Sequence, residues 1–295
     1  MDSLNYKARA KINLSLDVLR RLENGYHEVK MVMQTIDLYD ELILKKRQDP
    51  DIILRINSAD NLGKLEDNLI YKAAKRMQER YHIEQGIEVS LKKNIPVAAG
   101  MAGGSTDAAA VMLAMNEMFA LGRSREELME LALPLGADIP FCIMGGTALA
   151  EGIGEKLTPL PQPPHAEIVV VKPPIMVSTQ KVYQSLDFNE MEKHPDIDGM
   201  VKALEEGDLS GITQRLENVM ETVTETEFPI ITDIKKMLTD NGAWGAVMSG
   251  SGPSIFGVFP DAATAAEAAG YVRRTLEQKG VHAQVHVTTF YNSQE

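Results

Sequence analysis

Residues 95–122 read IPVAAGMAGGSTDAAAVMLAMNEMFALG, a glycine-rich loop running straight into an alanine-rich helix. No other segment constrains the fold as tightly. Gly100, Gly103 and Gly104 precede Ser105, Thr106 and Asp107 where the helix should begin, and Gly122 is placed to end it. Such a loop lets backbone N–H groups converge on an anion, and the helix N-terminus adds the positive end of its dipole. Ser105 or Thr106 is able to supply a hydroxyl to a phosphate oxygen or a magnesium-bound water. A plainer reading, a glycine turn with an ordinary Ser or Thr cap, accounts for the loop equally well when the loop is taken alone. Two familiar phosphate loops are excluded. No Gly-Lys-Ser/Thr occurs here, and there is no G-x-G-x-x-G for a dinucleotide or protein-kinase loop.

The chain opens with strict alternation. Ala8, Ala10, Ile12, Leu14, Leu16 and Val18 share one face; Lys7, Arg9, Lys11, Asn13, Ser15 and Asp17 share the other. Period two predicts a half-buried strand, and Asn24-Gly25 predicts a hairpin turn after it. Further strands are expected between residues 28 and 45, at 87–91, at 168–171 and from 281 to 290, with helices over 67–81 and 262–278. Ser124 to Glu127 has the form of a capping box, and Pro134 limits the helix that follows. GAVMSGSGPSIFGVF reads as a glycine-rich hairpin. Strands and helices intermingle without regular βαβ units, which predicts an α+β fold. Four of the 14 prolines fall in residues 158–165. That places a domain boundary near residue 160, with domains of 1–160 and 161–295.

Composition narrows the function. With 44% apolar and 24% charged residues the chain is globular, and a formal charge of −12 without a basic patch argues against nucleic acid. One cysteine excludes a disulfide framework. Neither an 18-residue apolar run nor the apolar core of a signal peptide is present, so a soluble, cytoplasmic protein off the membrane is expected.

The segment Pro96, Val97, Ala98, Ala99, Gly100, Met101, Ala102, Gly103, Gly104, Ser105, Thr106 resembles the central ATP motif of the GHMP kinases, the galactose, homoserine, mevalonate and phosphomevalonate kinase superfamily. Ala10-Lys11-Ile12-Asn13-Leu14 is similar to its first motif, and Gly250-Ser251-Gly252-Pro253-Ser254 to its third, in the family's order. The loop departs from other members in carrying Ala98, Ala99 and Ala102 where they hold more glycines and a second serine; Thr106 keeps a hydroxyl. Within the superfamily, Asn24-Gly25-Tyr26-His27 and Gly136-Ala137-Asp138-Ile139-Pro140-Phe141 resemble the branch acting on a cytidyl-linked polyol.

The resemblance implies two α+β domains, an N-terminal ribosomal-S5-like half and a C-terminal ferredoxin-like sandwich. It also implies direct transfer of phosphate from ATP, with Mg2+, to the 2-hydroxyl of 4-diphosphocytidyl-2-C-methyl-D-erythritol. Asp138 on residues alone reads first as a turn aspartate; its match to the family's catalytic aspartate makes it the base that takes the hydroxyl proton. Lys11 alone would be a solvated strand lysine; its match makes it the cation that keeps Asp138 ionised and offsets charge on the phosphoryl group, with Asn13 orienting the hydroxyl. Tyr26 and His27 are implied to hold cytosine, Tyr26 by stacking and His27 by its polar edge. Tyr183 is a candidate for the opposite ring, with core packing as the competing reading, and Asn68 is a candidate on the adenine side.

Other residues fall to plainer readings. His282 and His286 on an alternating strand would sit about 13 Å apart, too far for one metal. Cys142 has no evident base, the methionines fill core gaps, and Glu205, Glu206 and the acidic stretch 221–227 read as solvated helix faces. Two rivals remain: a homoserine- or mevalonate-type kinase, which offers no base to stack on a tyrosine, and a non-catalytic nucleotide-dependent regulator, which has no use for both Lys11 and Asp138.

Overall fold

The computed structural model describes residues 2–57, 64–186 and 194–291. The opening alternation becomes one long strand, β1 (Ser3–Arg21), with Ala8, Ala10, Ile12, Leu14, Leu16 and Val18 all buried. Its polar face is solvated only near the start, where Lys7 is exposed and Arg9 half-buried; Lys11, Asn13, Ser15 and Asp17 are buried. At the turn, Asn24 accepts the Tyr26 N–H and Gly25 takes a φ of 86°, so an Asx turn returns the chain as β2 (His27–Lys46). There follow β3 (Ile52–Asn57), α1 (Leu69–Tyr81), β4 (Ile87–Lys92), α2 (Gly103–Met118), α3 (Arg125–Ala132), α4 (Ile139–Met144), β5 (Thr147–Gly152) and β6 (Lys156–Leu160). The chain continues through β7 (Glu167–Lys172), α5 (Thr179–Ser185), α6 (Ile197–Glu206), α7 (Leu209–Thr213), β8 (Glu217–Asn218), α8 (Glu221–Glu227) and α9 (Ile230–Asp240). It closes with β9 (Gly245–Met248), β10 (Ile255–Phe259), α10 (Ala262–Gln278) and β11 (Gln284–Thr289).

Two compact units form. Unit 1 takes the chain up to Ala10, Leu38–Val97 and Ala102–Gly145; unit 2 takes Lys11–Asp37, Ala98–Met101 and the chain from Gly146 onward. The units interleave along the sequence because β1 and β2, at 19 and 20 residues, each begin in one and end in the other. The proline-rich stretch 158–165 is only partly a connector, since its first residues belong to β6, which pairs with β5.

In unit 1, β3 runs parallel to β4, and β4 pairs antiparallel with the later half of β2, from Glu41 opposite Lys92 to Lys46 opposite Ile87. Helices α1 and α2 pack together, and α2 packs on α4. Ile70, Ala73, Ala74 and Met77 of α1 meet the alanines and methionines of α2 over Leu42, Leu44, Val89 and Leu91 in one core. Alanine lets the helices approach closely, and unbranched methionine fills the gaps that remain. Helix α2 stops at Met118, short of Gly122, because Ala120 already takes the left-handed conformation (φ 50°) and the Leu121 N–H turns back to the Asn116 carbonyl. The capping box forms as expected, with Ser124 and Glu127 bonding each other's backbone N–H.

In unit 2, β5 pairs with the earlier half of β2, β6 with β5, and β8 runs parallel to β1 at Ser15 and Leu16. A second sheet is antiparallel in the order β11-β7-β10-β9. Counted along the chain that is 4-1-3-2, the ferredoxin-like order, with α9 and α10 packed on its strands. Asp261 caps α10 by accepting the Thr264 N–H. Strand β11 begins at Gln284, so His282 precedes it and only His286 lies on it.

Candidate active site

The glycine loop owes its shape to backbone handedness. Ala98, Gly100 and Ala102 have φ values of 50°, 72° and 56°, three left-handed residues alternating with right-handed or extended ones. This alternation turns successive N–H groups towards a common side and makes an anion-binding concavity. Two of the three alanines that depart from the family pattern thus stand where glycine is at ease. Between them Ala99 and Met101 are buried and anchor the loop, as does Pro96; Val97 is half-buried and Ala98 exposed.

In unit 1 the loop runs into α2. Ala102 is its N-cap and offers no side-chain cap, so the first-turn N–H groups of Gly103, Gly104 and Ser105 are available to a ligand. The Thr106 hydroxyl donates to the Arg9 carbonyl at 2.6 Å and fastens α2 to β1. Its proton is therefore committed, and the half-exposed Ser105 is the freer hydroxyl. Beneath the glycines lies a buried ion cluster that the sequence did not reveal. Lys93 bridges Asp40 and Asp107, the latter at 2.8 Å, and Asp40 also accepts the N–H groups of Asn94 and Ile95. A Cβ on Gly103 would lie 3.3 Å from Lys93 Nζ. Burial, helped by the Asp40 charge, pushes the Asp107 carboxyl well above the usual carboxylate range against the pull of Lys93. Burial opposes the Lys93 charge, but the two carboxylates outweigh it and hold its pKa up. Asn68 caps α1 by accepting the Ile70 N–H at 2.9 Å, and Leu69 beside it lies 3.6 Å from where a Gly104 Cβ would be. Asp138 sits half-buried at the N-cap of α4, and its side chain makes no cap bond.

In unit 2, β1 presents Lys11 and Asn13 on the same face. Lys11 is 5% exposed, its Nζ donates to Asn13 Oδ1 at 2.9 Å, and Asn13 donates to Met31 Sδ at 3.1 Å. The Lys11 N–H also bonds the Met101 carbonyl, joining this strand to the loop. The third glycine segment packs on the same place: the Ser249 hydroxyl donates to the Gly100 carbonyl at 3.0 Å, and any side chain on Gly100 would strike the Ser249 carbonyl. Tyr26 is 59% exposed at the hairpin tip. Tyr183 on α5 is half-buried, and its ring stacks on His27 at 4.8 Å with 20° between planes. Burial, then the Arg21 charge, lowers the His27 pKa and favours the neutral ring. Thr179, at the start of α5, shares a 2.7 Å hydrogen bond with Ser251.

One expectation fails here. Glu221 is not on a solvated face: its side chain is 12% exposed, pairs with Lys235 at 2.9 Å and accepts the Met248 N–H at 2.8 Å, and desolvation pushes its pKa up to about 7. Cys142 is half-buried on α4. Among the described residues no cluster of three His, Cys, Asp or Glu is placed to hold a metal ion, and no helix is long and apolar enough to cross a membrane.

The left-handed run suits an anion, and Lys11 is bonded to the same loop through the Met101 carbonyl. Family models match both halves of the chain. "GHMP kinases N terminal domain" matches residues 68–146 and "GHMP kinases C terminal" matches residues 200–278. The chain belongs to the GHMP kinase family. A relative from Lachnospira eligens named 4-diphosphocytidyl-2-C-methyl-D-erythritol kinase is 49% identical over 98% of this chain and 98% of its own. A crystal structure of 4-(cytidine 5'-diphospho)-2C-methyl-D-erythritol kinase is 30% identical with a TM-score of 0.81, covering 98% of this chain and 100% of that one. A homoserine kinase from Cytophaga hutchinsonii, 22% identical, superposes with a TM-score of 0.80 over 98% of this chain and 95% of that one, which is a likeness of fold.

Proposed function

We propose that this chain is an ATP-dependent kinase that phosphorylates the 2-hydroxyl of 4-diphosphocytidyl-2-C-methyl-D-erythritol, a step in the non-mevalonate supply of isoprenoid precursors. The observation that carries it is the run of left-handed residues, Ala98, Gly100 and Ala102, in the loop that the Lys11 N–H joins through the Met101 carbonyl. The relatives' shared name supplies the substrate. In this reading the loop from Pro96 to Thr106 holds the ATP phosphates and Asn68 lies on the adenine side. Tyr26, His27 and Tyr183 receive the cytosine. Along the sequence the family's N- and C-terminal segments fall on either side of residue 160, and the enzyme works in the cytoplasm on a small molecule, away from membranes and nucleic acid.

The step itself needs few reactive groups. The substrate hydroxyl, oriented by Asn13, gives its proton to the Asp138 carboxylate as its oxygen bonds the γ-phosphorus and the bond to the ADP oxygen breaks. The Lys11 ammonium offsets charge on the transferring phosphoryl group. Magnesium would come with ATP as part of the substrate and would supply charge neutralisation for its phosphates. Release of ADP with a panel of alcohols tests the assignment. Turnover is expected with the cytidyl polyol and not with homoserine or mevalonate; preference for either of those assigns the chain to another branch of the family, and no turnover with any favours a regulator.

A further inference from the structure

Sequence reading passes over Asn218, yet its whole carboxamide is spent on backbone within unit 2. Its Nδ2 donates to the carbonyls of Met248 at 2.8 Å and Gly250 at 2.7 Å, while its Oδ1 accepts the Met220 N–H at 3.0 Å. The residue is buried on β8, which pairs with β1. Glu221, three residues on, accepts the Met248 N–H from the other side of the same residue. One short segment therefore grips both ends of Met248 and the carbonyl two residues later.

The turn held in this way backs two parts of the candidate site. Gly250 is left-handed at φ 56°, and a Cβ there would lie 3.1 Å from the Gly100 carbonyl oxygen and 3.6 Å from Asn13 Oδ1. Ser249 adds its hydroxyl to the Gly100 carbonyl, and Asn13 receives the Lys11 ammonium. A shift of the turn would reach Gly100 and the Lys11–Asn13 pair together. Phosphoryl transfer depends on placement, and a displacement of about 1 Å can cost about 10²-fold in rate.

We propose that Asn218 is a positioning residue for phosphoryl transfer: by bridging the Met248 and Gly250 carbonyls it fixes the turn that backs Gly100 and Asn13, and so aims the phosphate loop and the Lys11 ammonium. The proposal rests on the kinase reading above. Asparagine is suited to the task because two donors are needed on one planar group. Aspartate would set a carboxylate against two carbonyl oxygens, and an apolar residue would leave both carbonyls buried and unpaired.

The test compares wild type, Asn218→Ala, Asn218→Asp and Ser249→Ala by steady-state kinetics with ATP and the cytidyl polyol, alongside calorimetric binding of the polyol. In folded Asn218 variants kcat is expected to fall by about 10- to 100-fold and the KM for ATP to rise by about tenfold, while polyol affinity changes by less than about threefold. A lowered melting temperature with kcat and the KM for ATP unchanged makes Asn218 merely structural and overturns the proposal, as does equal weakening of both ligands. Should neither Asn218 variant fold, Ser249→Ala decides: a rise of about threefold or more in the KM for ATP supports the turn's role, and an unchanged value overturns it. A wild type without turnover sinks the kinase reading itself, a result distinct from active enzyme with unaffected variants.

Discussion

Asp138 shows how much a single side chain depends on its setting. The tripeptide Asp138-Ile139-Pro140 resembles an ordinary helix start, but the Asp138 side chain makes no cap bond to α4. Asp138→Asn changes shape very little. The variant is expected to melt near the wild-type temperature and to bind ATP within about twofold, while kcat falls by about 10²–10⁴-fold. Stopped-assay kinetics with calorimetric ATP binding would check this, and near-normal kcat in the folded variant removes Asp138 from the mechanism. Glu221 carries the opposite lesson. It opens a helix rich in glutamate and threonine, and its contacts come from Met248, 27 residues away, and from Lys235 on another helix. No local pattern signals such a contact.

At the scale of elements, the loop's handedness yields a paired prediction. Gly100 and Ala98 are both left-handed, but only Gly100 faces a carbonyl at the place of its missing Cβ. Gly100→Ala is expected to destabilise by at least about 2 kcal/mol, combining left-handed strain of about 1–2 kcal/mol with the displacement of Ser249. Ala98→Gly relieves similar strain but loosens the unfolded chain by about 0.5–1 kcal/mol, so it should lie within about 1 kcal/mol of wild type. Urea unfolding compares the two, and equal effects would contradict the loop geometry. Elements with local signals were legible: the β1 alternation, the capping box at Ser124, and α10 over Ala262–Gln278. Strand β3, IILRIN, was not, because a short apolar run lacks alternation and its pairing with β4 lies more than thirty residues on. The motif residues Lys11, Asn13 and Gly100 were legible through resemblance; Asn218 and the Lys93 cluster were not, because they work through carbonyls and charges brought together only by folding.

For the whole molecule, the largely desolvated Glu221 makes stability depend on pH. Its folded pKa of about 7 lies above the unfolded value near 4.5, so the native state binds the proton more tightly. The stability this contributes is present below about pH 4.5 and is lost as pH rises through 7, a change on the order of a few kcal/mol. Glu221→Gln keeps an acceptor for the Met248 N–H but cannot titrate. Its melting temperature relative to wild type should rise between pH 5 and pH 8, and a difference that does not vary with pH would contradict the burial. The central claim, a kinase that recognises its alcohol through a cytidyl group, meets its most direct test in substrate comparison. Binding energy from a base remote from the reacting hydroxyl raises kcat/KM, and base stacking on an aromatic ring contributes about 1–3 kcal/mol. We predict that wild type turns over the cytidyl polyol at least about 100-fold more efficiently than bare methylerythritol. We predict also that Tyr26→Ala loses about ten- to a hundred-fold with the former and almost nothing with the latter. Equal kcat/KM for the two alcohols would contradict the account.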